Sequence, residues 1–277
     1  MNSLTDAEQA LRDGRLDQAL KLLQDQVRSR PSDVRLRIFL FQLLAVMGQW
    51  NRALVQLRLA GELQASALAM AQMYSAAIQC ELLRAEVFAG RRSPLILGQP
   101  EEWLALLVES LQVCGQGRLA DAEALRARAF DAAPAQAGSV DGQPFSWIAD
   151  ADMRLGPVCE AIIEGRYYWL PFDRLSRIVI DEPVDLRDAV WMPARFEFAN
   201  GGGSVGLIPT RYPGSELHPD AAIQLARRTE WSERSSGVYV GSGQRILSTD
   251  QGDHALMDLR EITLTPASDL IPSVTPE

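Results

Sequence analysis

A short segment that returns with its own punctuation constrains this chain most. Gly14-Arg-Leu16-Asp-Gln-Ala19 recurs 34 residues later as Gly48-Gln-Trp50-Asn-Arg-Ala53, with Leu20 and Leu23 mapping onto Leu54 and Leu57. A third copy, Gly117-Arg-Leu119-Ala-Asp-Ala122, follows after 69 residues, and Pro31 and Pro134 each stand 17 residues past their glycine. Each residue type has a mechanical reason. Gly closes a tight turn between antiparallel helices, Ala lets the second helix approach the first, and Pro cannot continue the helical ladder. A 34-residue period of this kind reads as a tetratricopeptide-like array. The spacing leaves room for a degenerate copy over about 68–102. Leu63–Ala89 has no internal Gly or Pro and is expected to be one long helix. An ordinary helical bundle gives no reason for the period, the alanine offset and the proline to recur together.

After residue 133 the grammar changes. Pro and Gly become frequent, and short apolar runs alternate with turns. The expected architecture is α+β in two domains: a helical repeat domain over 1–133, a linker over 134–144 and a mostly antiparallel β domain with one or two helices over 145–277. Within the second domain, Pro157 followed by Val158, Ala161 and Ile162 suggests a short helix. Strands are expected over Arg166–Phe172, Ser176–Ile180, Val190–Ala199 and Val205–Ile208, the last two joined by a hairpin at Asn200-Gly201. Pro219–Trp231 reads as helix, and Val238–Val240, Gln244–Leu247 and His254–Leu264 as further strands. The Pro-containing end, Ala267–Glu277, is expected to fray.

The net charge of −9 argues against a nucleic-acid or anionic-membrane partner, since both need a basic surface. The helical half carries 15 basic and 15 acidic residues, so the whole imbalance lies in the second half. Cys80, Cys114 and Cys159 form no CxxC pair, which fits a reducing compartment. A polar start without a basic–apolar leader, and no run of about 18 apolar residues, give the expectation of a cytoplasmic chain.

The sequence holds few residues arranged for chemistry. His218 and His254 make no metal-binding pattern. Asp150 and Asp152 could serve acid–base work or a divalent metal, but acids before a helix commonly cap it, and Arg154 can pair with either. Gly201-Gly202-Gly203 and Gly241-Ser242-Gly243 lack the strand–helix context of a phosphate loop. No nucleophile triad can be ordered. What the array offers instead is an inner face. In the third copy that face carries Leu104, Leu107 and Leu111; in the second, Arg35, Ile38 and Gln42, with Val46 one turn on. Such apolar positions suit a groove for an amphipathic partner helix, or a face covered by the second half of the chain. The aromatic run Tyr167-Tyr168-Trp169 suits an interface or the β core.

Several longer stretches carry a resemblance. They are Ala85-Glu86-Val87-Phe88-Ala89-Gly90, Phe145-Ser-Trp147-Ile-Ala-Asp150-Ala-Asp152-Met-Arg154-Leu-Gly156-Pro157, Gly165-Arg-Tyr-Tyr-Trp-Leu-Pro-Phe172, Asp185-Leu-Arg-Asp188-Ala-Val-Trp191 and Ile208-Pro-Thr-Arg211-Tyr212-Pro213. The chain resembles, over nearly its full length, the ImpE/TagJ (SciE-type) accessory proteins of bacterial type VI secretion. The resemblance implies a cytoplasmic adaptor with no enzymatic activity and no cofactor. It implies binding to the N-terminal helix of the small contractile-sheath subunit and association with the AAA+ ATPase that disassembles contracted sheath. Two alternatives stand beside it: a metal-dependent enzyme using Asp150 and Asp152, and a dimeric structural scaffold. Partner binding is expected at Leu104, Leu107, Leu111, Ile38, Gln42 and the seam near Trp169.

Overall fold

The computed structural model describes residues 3–235 and 237–265. Eight helices occur among them: α1 (Ser3–Arg12), α2 (Leu16–Ser29), α3 (Val34–Val46), α4 (Trp50–Leu63), α5 (Leu68–Phe88), α6 (Glu102–Gly115), α7 (Leu119–Ala132) and the single turn α8 (Ala221–Gln224). The three repeats are helical hairpins, α1–α2, α3–α4 and α6–α7. Gly14, Gly48 and Gly117 sit at φ +75°, +65° and +81°, in the left-handed region that ends a helix. Each turn closes with the same bond: Arg15 N–H donates to Ala10 O, Gln49 N–H to Leu44 O and Arg118 N–H to Val113 O. Ala19, Ala53 and Ala122 are buried where the paired helices meet.

The degenerate copy is half formed. The helix α5, 21 residues long, ends like the others, with Gly90 at φ +72° and Arg91 N–H donating to Glu86 O. No second helix follows, in contrast to the expected two-helix repeat over 68–102. Pro94 lacks an N–H, so a helix cannot run through it. The chain instead forms β1 (Leu95–Ile96), which pairs in parallel with β6 (Arg166–Pro171). The long helix begins at Leu68 rather than Leu63, after a one-turn 3-10 segment at Ala65–Ala67.

The remaining strands are β2 (Gly138–Val140), β3 (Gln143–Phe145), β4 (Ile148–Asp150), β5 (Val158–Ile163), β7 (Leu175–Ile180), β8 (Trp191–Phe198), β9 (Gly203–Pro209), β10 (Thr229–Ser235), β11 (Val238–Gly243), β12 (Ile246–Thr249), β13 (Gly252–Ala255) and β14 (Glu261–Leu264). A nine-stranded sheet runs β1-β6-β5-β9-β8-β7-β14-β2-β3, antiparallel except for β1–β6. A three-stranded sheet β13-β12-β4 and the hairpin β10–β11 stand beside it.

Further sequence expectations change, and the expected strand His254–Leu264 is divided by a 3-10 turn at Leu256–Asp258 into β13 and β14. Val158–Ile163 is a strand, not a helix. All six side chains are buried, and a strand covered on both faces loses the alternation that would reveal it. The 134–144 segment is not an open linker. It folds into the edge hairpin β2–β3, turned at Asp141-Gly142 with both φ positive. Within Pro219–Trp231 only Ala221–Gln224 is helical, and Thr229 already begins β10. The tail Ala267–Glu277 lies outside the described residues.

The large sheet separates two cores. Val158, Ile162, Tyr167, Trp169 and Trp191 face the helices and share one apolar cluster with Leu23, Leu43, Leu57, Ile78 and Leu107. Alternate residues, among them Cys159, Ala161, Leu170 and Met192, face a second cluster with Phe145, Ile178, Phe196 and Ile262. The helical and β halves therefore share a continuous core.

Candidate functional site

Strand periodicity places Glu160 between Val158 and Ile162 on the helix-facing side of β5. It is fully buried. Across from it, α5 presents Arg84, whose Nε and Nη2 donate to the two Glu160 oxygens at 2.6 and 2.9 Å. Arg245, between β11 and β12, donates to Glu160 from the other side and to Asp150. The Tyr167 hydroxyl also donates to Glu160 and accepts from Trp169 Nε1 at 2.7 Å. Arg84 further reaches Glu81 Oε2 at 3.2 Å and the Arg211 carbonyl at 2.8 Å. Glu81 accepts from Trp191 Nε1 at 3.0 Å. A chain of buried charge thus crosses from α5 to the sheet.

Burial pushes the Glu160 carboxyl up, but Arg84 and Arg245 outweigh it and hold it at about 2. Asp150, buried and close to Asp152, is pushed up to about 7 despite Arg245. Buried charge recovers its desolvation cost only when every partner is in place, so removing one member strands the others. Arg211 works in the same seam. Its guanidinium donates to Val46 O at 2.8 Å and to Ala45 O, the last carbonyls of α3, where a cation is favoured. Arg227 likewise donates to Leu11 O and Arg12 O at the end of α1.

Asp150 and Asp152 serve this architecture. Asp152 is bound by Arg154 through both oxygens, at 2.8 and 2.6 Å, and accepts from Gly241 N–H at 2.9 Å. Asp150 accepts from Arg245 and from the Tyr212 hydroxyl at 3.0 Å. Each carboxylate belongs to a different arginine. Among the described residues no group of three His, Cys, Asp or Glu could hold a metal ion.

The inner face of the array is largely occupied. Leu104, Leu107 and Leu111 are 1%, 0% and 5% exposed, and Gln42, Val46 and Trp169 are buried. Ile38 is half-buried and Arg35 exposed. The expected open groove along these leucines is corrected: they belong to the same core cluster as Trp169 and Leu155 of the β half. The first helices of the second and third repeats, α3 and α6, are apolar and pack in the cluster that the helix-facing side of the sheet completes. Aromatic rings stitch this seam, with Phe41–Tyr74 and Tyr74–Trp191 both at 5.6 Å and Trp50–Trp191 at 6.1 Å.

An opening lies at one end of the seam, and of the residues expected to bind a partner Leu111 alone lines it. A groove of about 410 Å³ lies between the third hairpin, the end of α5 and the β10–β11 arm. Its apolar wall is Phe88, Leu111, Leu119, Ala122, Val238 and Val240, and Cys114 opens on it. Three arginines, Arg126, Arg154 and Arg234, also line it, and among the described residues no acid does. Arg154 is pinned by Asp152 and lies over the Phe88 ring at 4.9 Å. Sequence reasoning missed Arg84, Glu160, Arg245 and Arg126. The available signal was a lone charge inside an apolar run, as in Val-Cys-Glu160-Ala-Ile-Ile.

These features define a class: an array of helical hairpins locked through buried charge onto an antiparallel β module, with an arginine-lined groove where they meet. The fold is shared with a crystal structure from Vibrio parahaemolyticus, VPA1032, at a TM-score of 0.86 and 24% identity, over 96% of this chain and 100% of that one. Residues 142–263 match the ImpE protein family. The chain is 57% identical over 260 residues to the type VI secretion system accessory component TagJ of Pseudomonas aeruginosa, spanning 94% of this chain and 91% of that protein. It belongs to the ImpE/TagJ family.

Proposed function

We propose that this chain is an accessory adaptor of type VI secretion. It holds the N-terminal helix of the small sheath subunit in the groove between α6–α7 and β10–β11, and it associates with the AAA+ ATPase that disassembles the sheath. Family membership and the name of the Pseudomonas relative support the secretion role. The observation that carries the docking site is the groove itself. It is apolar-walled and open, and it lies between the α6–α7 hairpin and the β10–β11 arm. An amphipathic helix lays an apolar stripe into such a groove. A single helix buries less than a standard interface of about 800 Å² per partner, so the expected affinity is modest, which suits a recycling step.

Leu119 supplies the test. It is 47% exposed, lines the groove and is the first residue of α7, where an acid is tolerated. Leu119→Glu is expected to keep native circular dichroism and thermal stability while abolishing anisotropy-detected binding of a labelled sheath-subunit helix peptide. Undiminished binding removes this groove as the docking site. Failure of the wild-type chain to bind the peptide removes the adaptor reading.

A further inference from the structure

The geometry points to a carboxylate-reading position in the groove: Arg126 receives an Asp or Glu side chain of the docked helix, with Arg234 as a second cation at the rim. This rests on the adaptor reading and specifies the chemistry of its partner. Four observations carry it. Arg126 on α7 is only 8% exposed, yet its side chain makes no hydrogen bond or ion pair with any described residue. The other deeply buried arginines are fully employed: Arg84, Arg211 and Arg245 each donate to at least three acceptors. Among the described residues the groove is lined by three guanidinium groups, of which Arg154 is paired with Asp152, and by no acid, in a chain whose net charge is −9. Its remaining wall is aliphatic and aromatic, which selects an apolar segment bearing one carboxylate over a polyanion.

A largely buried guanidinium that faces only the groove, with no anion beside it, is an incomplete pair. Burial lowers its proton affinity, with Glu123, Cys114 and Asp152 opposing that only in part. An incoming carboxylate completes the pair with charge-assisted, bidentate hydrogen bonds, while its flanking apolar side chains meet Phe88, Leu111 and Val238. Such a bond discriminates strongly, because the analogue lacking the carboxylate leaves Arg126 as it was.

The experiment is a cycle between chain and peptide. Each acidic residue of the sheath-subunit helix peptide is changed to its amide, and every peptide is titrated against wild type, Arg126→Gln and Arg126→Lys. One acid-to-amide change is expected to weaken wild-type binding about 10- to 100-fold and to have no effect in Arg126→Gln, with Arg126→Lys intermediate. Equal losses in wild type and Arg126→Gln, or no loss from any amide, overturn the assignment while leaving helix docking intact. A second arm is independent of the peptide. Octanoate is expected to shield Cys114 from iodoacetamide in wild type but not in Arg126→Gln, and octan-1-ol to shield it weakly in both. Equal protection by the acid and the alcohol, or none by either, counts against a carboxylate site. Unreactive Cys80 and Cys159 in each variant certify the fold.

Discussion

Replacing Glu160 with Gln isolates what the buried seam contributes. The wild-type carboxylate receives Arg84, Arg245 and Tyr167 at once, in a place with no access to water. The amide keeps one acceptor, loses the charge and turns a donor group toward two guanidiniums. Leaving buried partners uncompensated costs about 3–5 kcal/mol, a large part of the roughly 5–15 kcal/mol that holds a protein folded. An independent route gives a similar figure. Holding this carboxyl at about 2 rather than its ordinary 4.5 corresponds to about 3 kcal/mol in favour of the fold at neutral pH. The sign follows from a depressed acid: the contribution is complete above pH 4.5 and is lost as pH falls toward 2. Asp150 acts in the opposite sense. Its carboxyl is raised from 3.8 to about 7, so the stability tied to its proton is present below pH 3.8 and is lost as pH rises toward 7. Urea unfolding followed by the fluorescence of Trp169 and Trp191, both in the seam, measures each effect across pH 3 to 7. The expected result is a Glu160→Gln chain weaker by about 3–5 kcal/mol at pH 7, with a flattened acid limb. The slope between pH 4 and 7 should persist. A loss under about 1 kcal/mol, or an acid limb as steep as wild type, refutes the account of the seam.

Two glycines separate backbone freedom from close packing. Gly117→Ala, where an added Cβ meets nothing within 4 Å, should cost about 1 kcal/mol from its left-handed φ alone. Gly90→Ala should cost several times more in the same thermal melt, because its Cβ runs into the Leu111 carbonyl and lies 2.9 Å from Gln112 Cα. Equal costs would mean that α5 and α6 part easily. Cysteine alkylation should be selective: Cys114 is exposed, whereas burial pushes the Cys80 and Cys159 thiols up to about 12. Mass spectrometry after iodoacetamide should find one modified site in the native chain and three in urea.

The punctuation of the array was legible because it is local. Gly14, Gly48 and Gly117 mark left-handed turns, the following alanines mark close helix contacts, and Pro31 and Pro134 mark helix ends; each follows from the conformations one residue can adopt. Most strands of the second half were legible for the same reason, through turns such as Asn200-Gly201. The strand at Val158–Ile163 was not, since burial on both faces erases the period that distinguishes strand from helix. Nor was the fate of Leu104 and Leu107, whose apolar character is equally suited to a partner's helix and to the chain's own sheet. Only the assembled fold decided between them. It also brought Arg84 and Arg245 to Glu160 across 76 and 85 residues of sequence, and left Arg126 facing an opening. Backbone preference is a property of neighbours along the chain, while pairing of charge and covering of apolar surface are properties of neighbours in space, and those exist only once the sheet has closed over the helices.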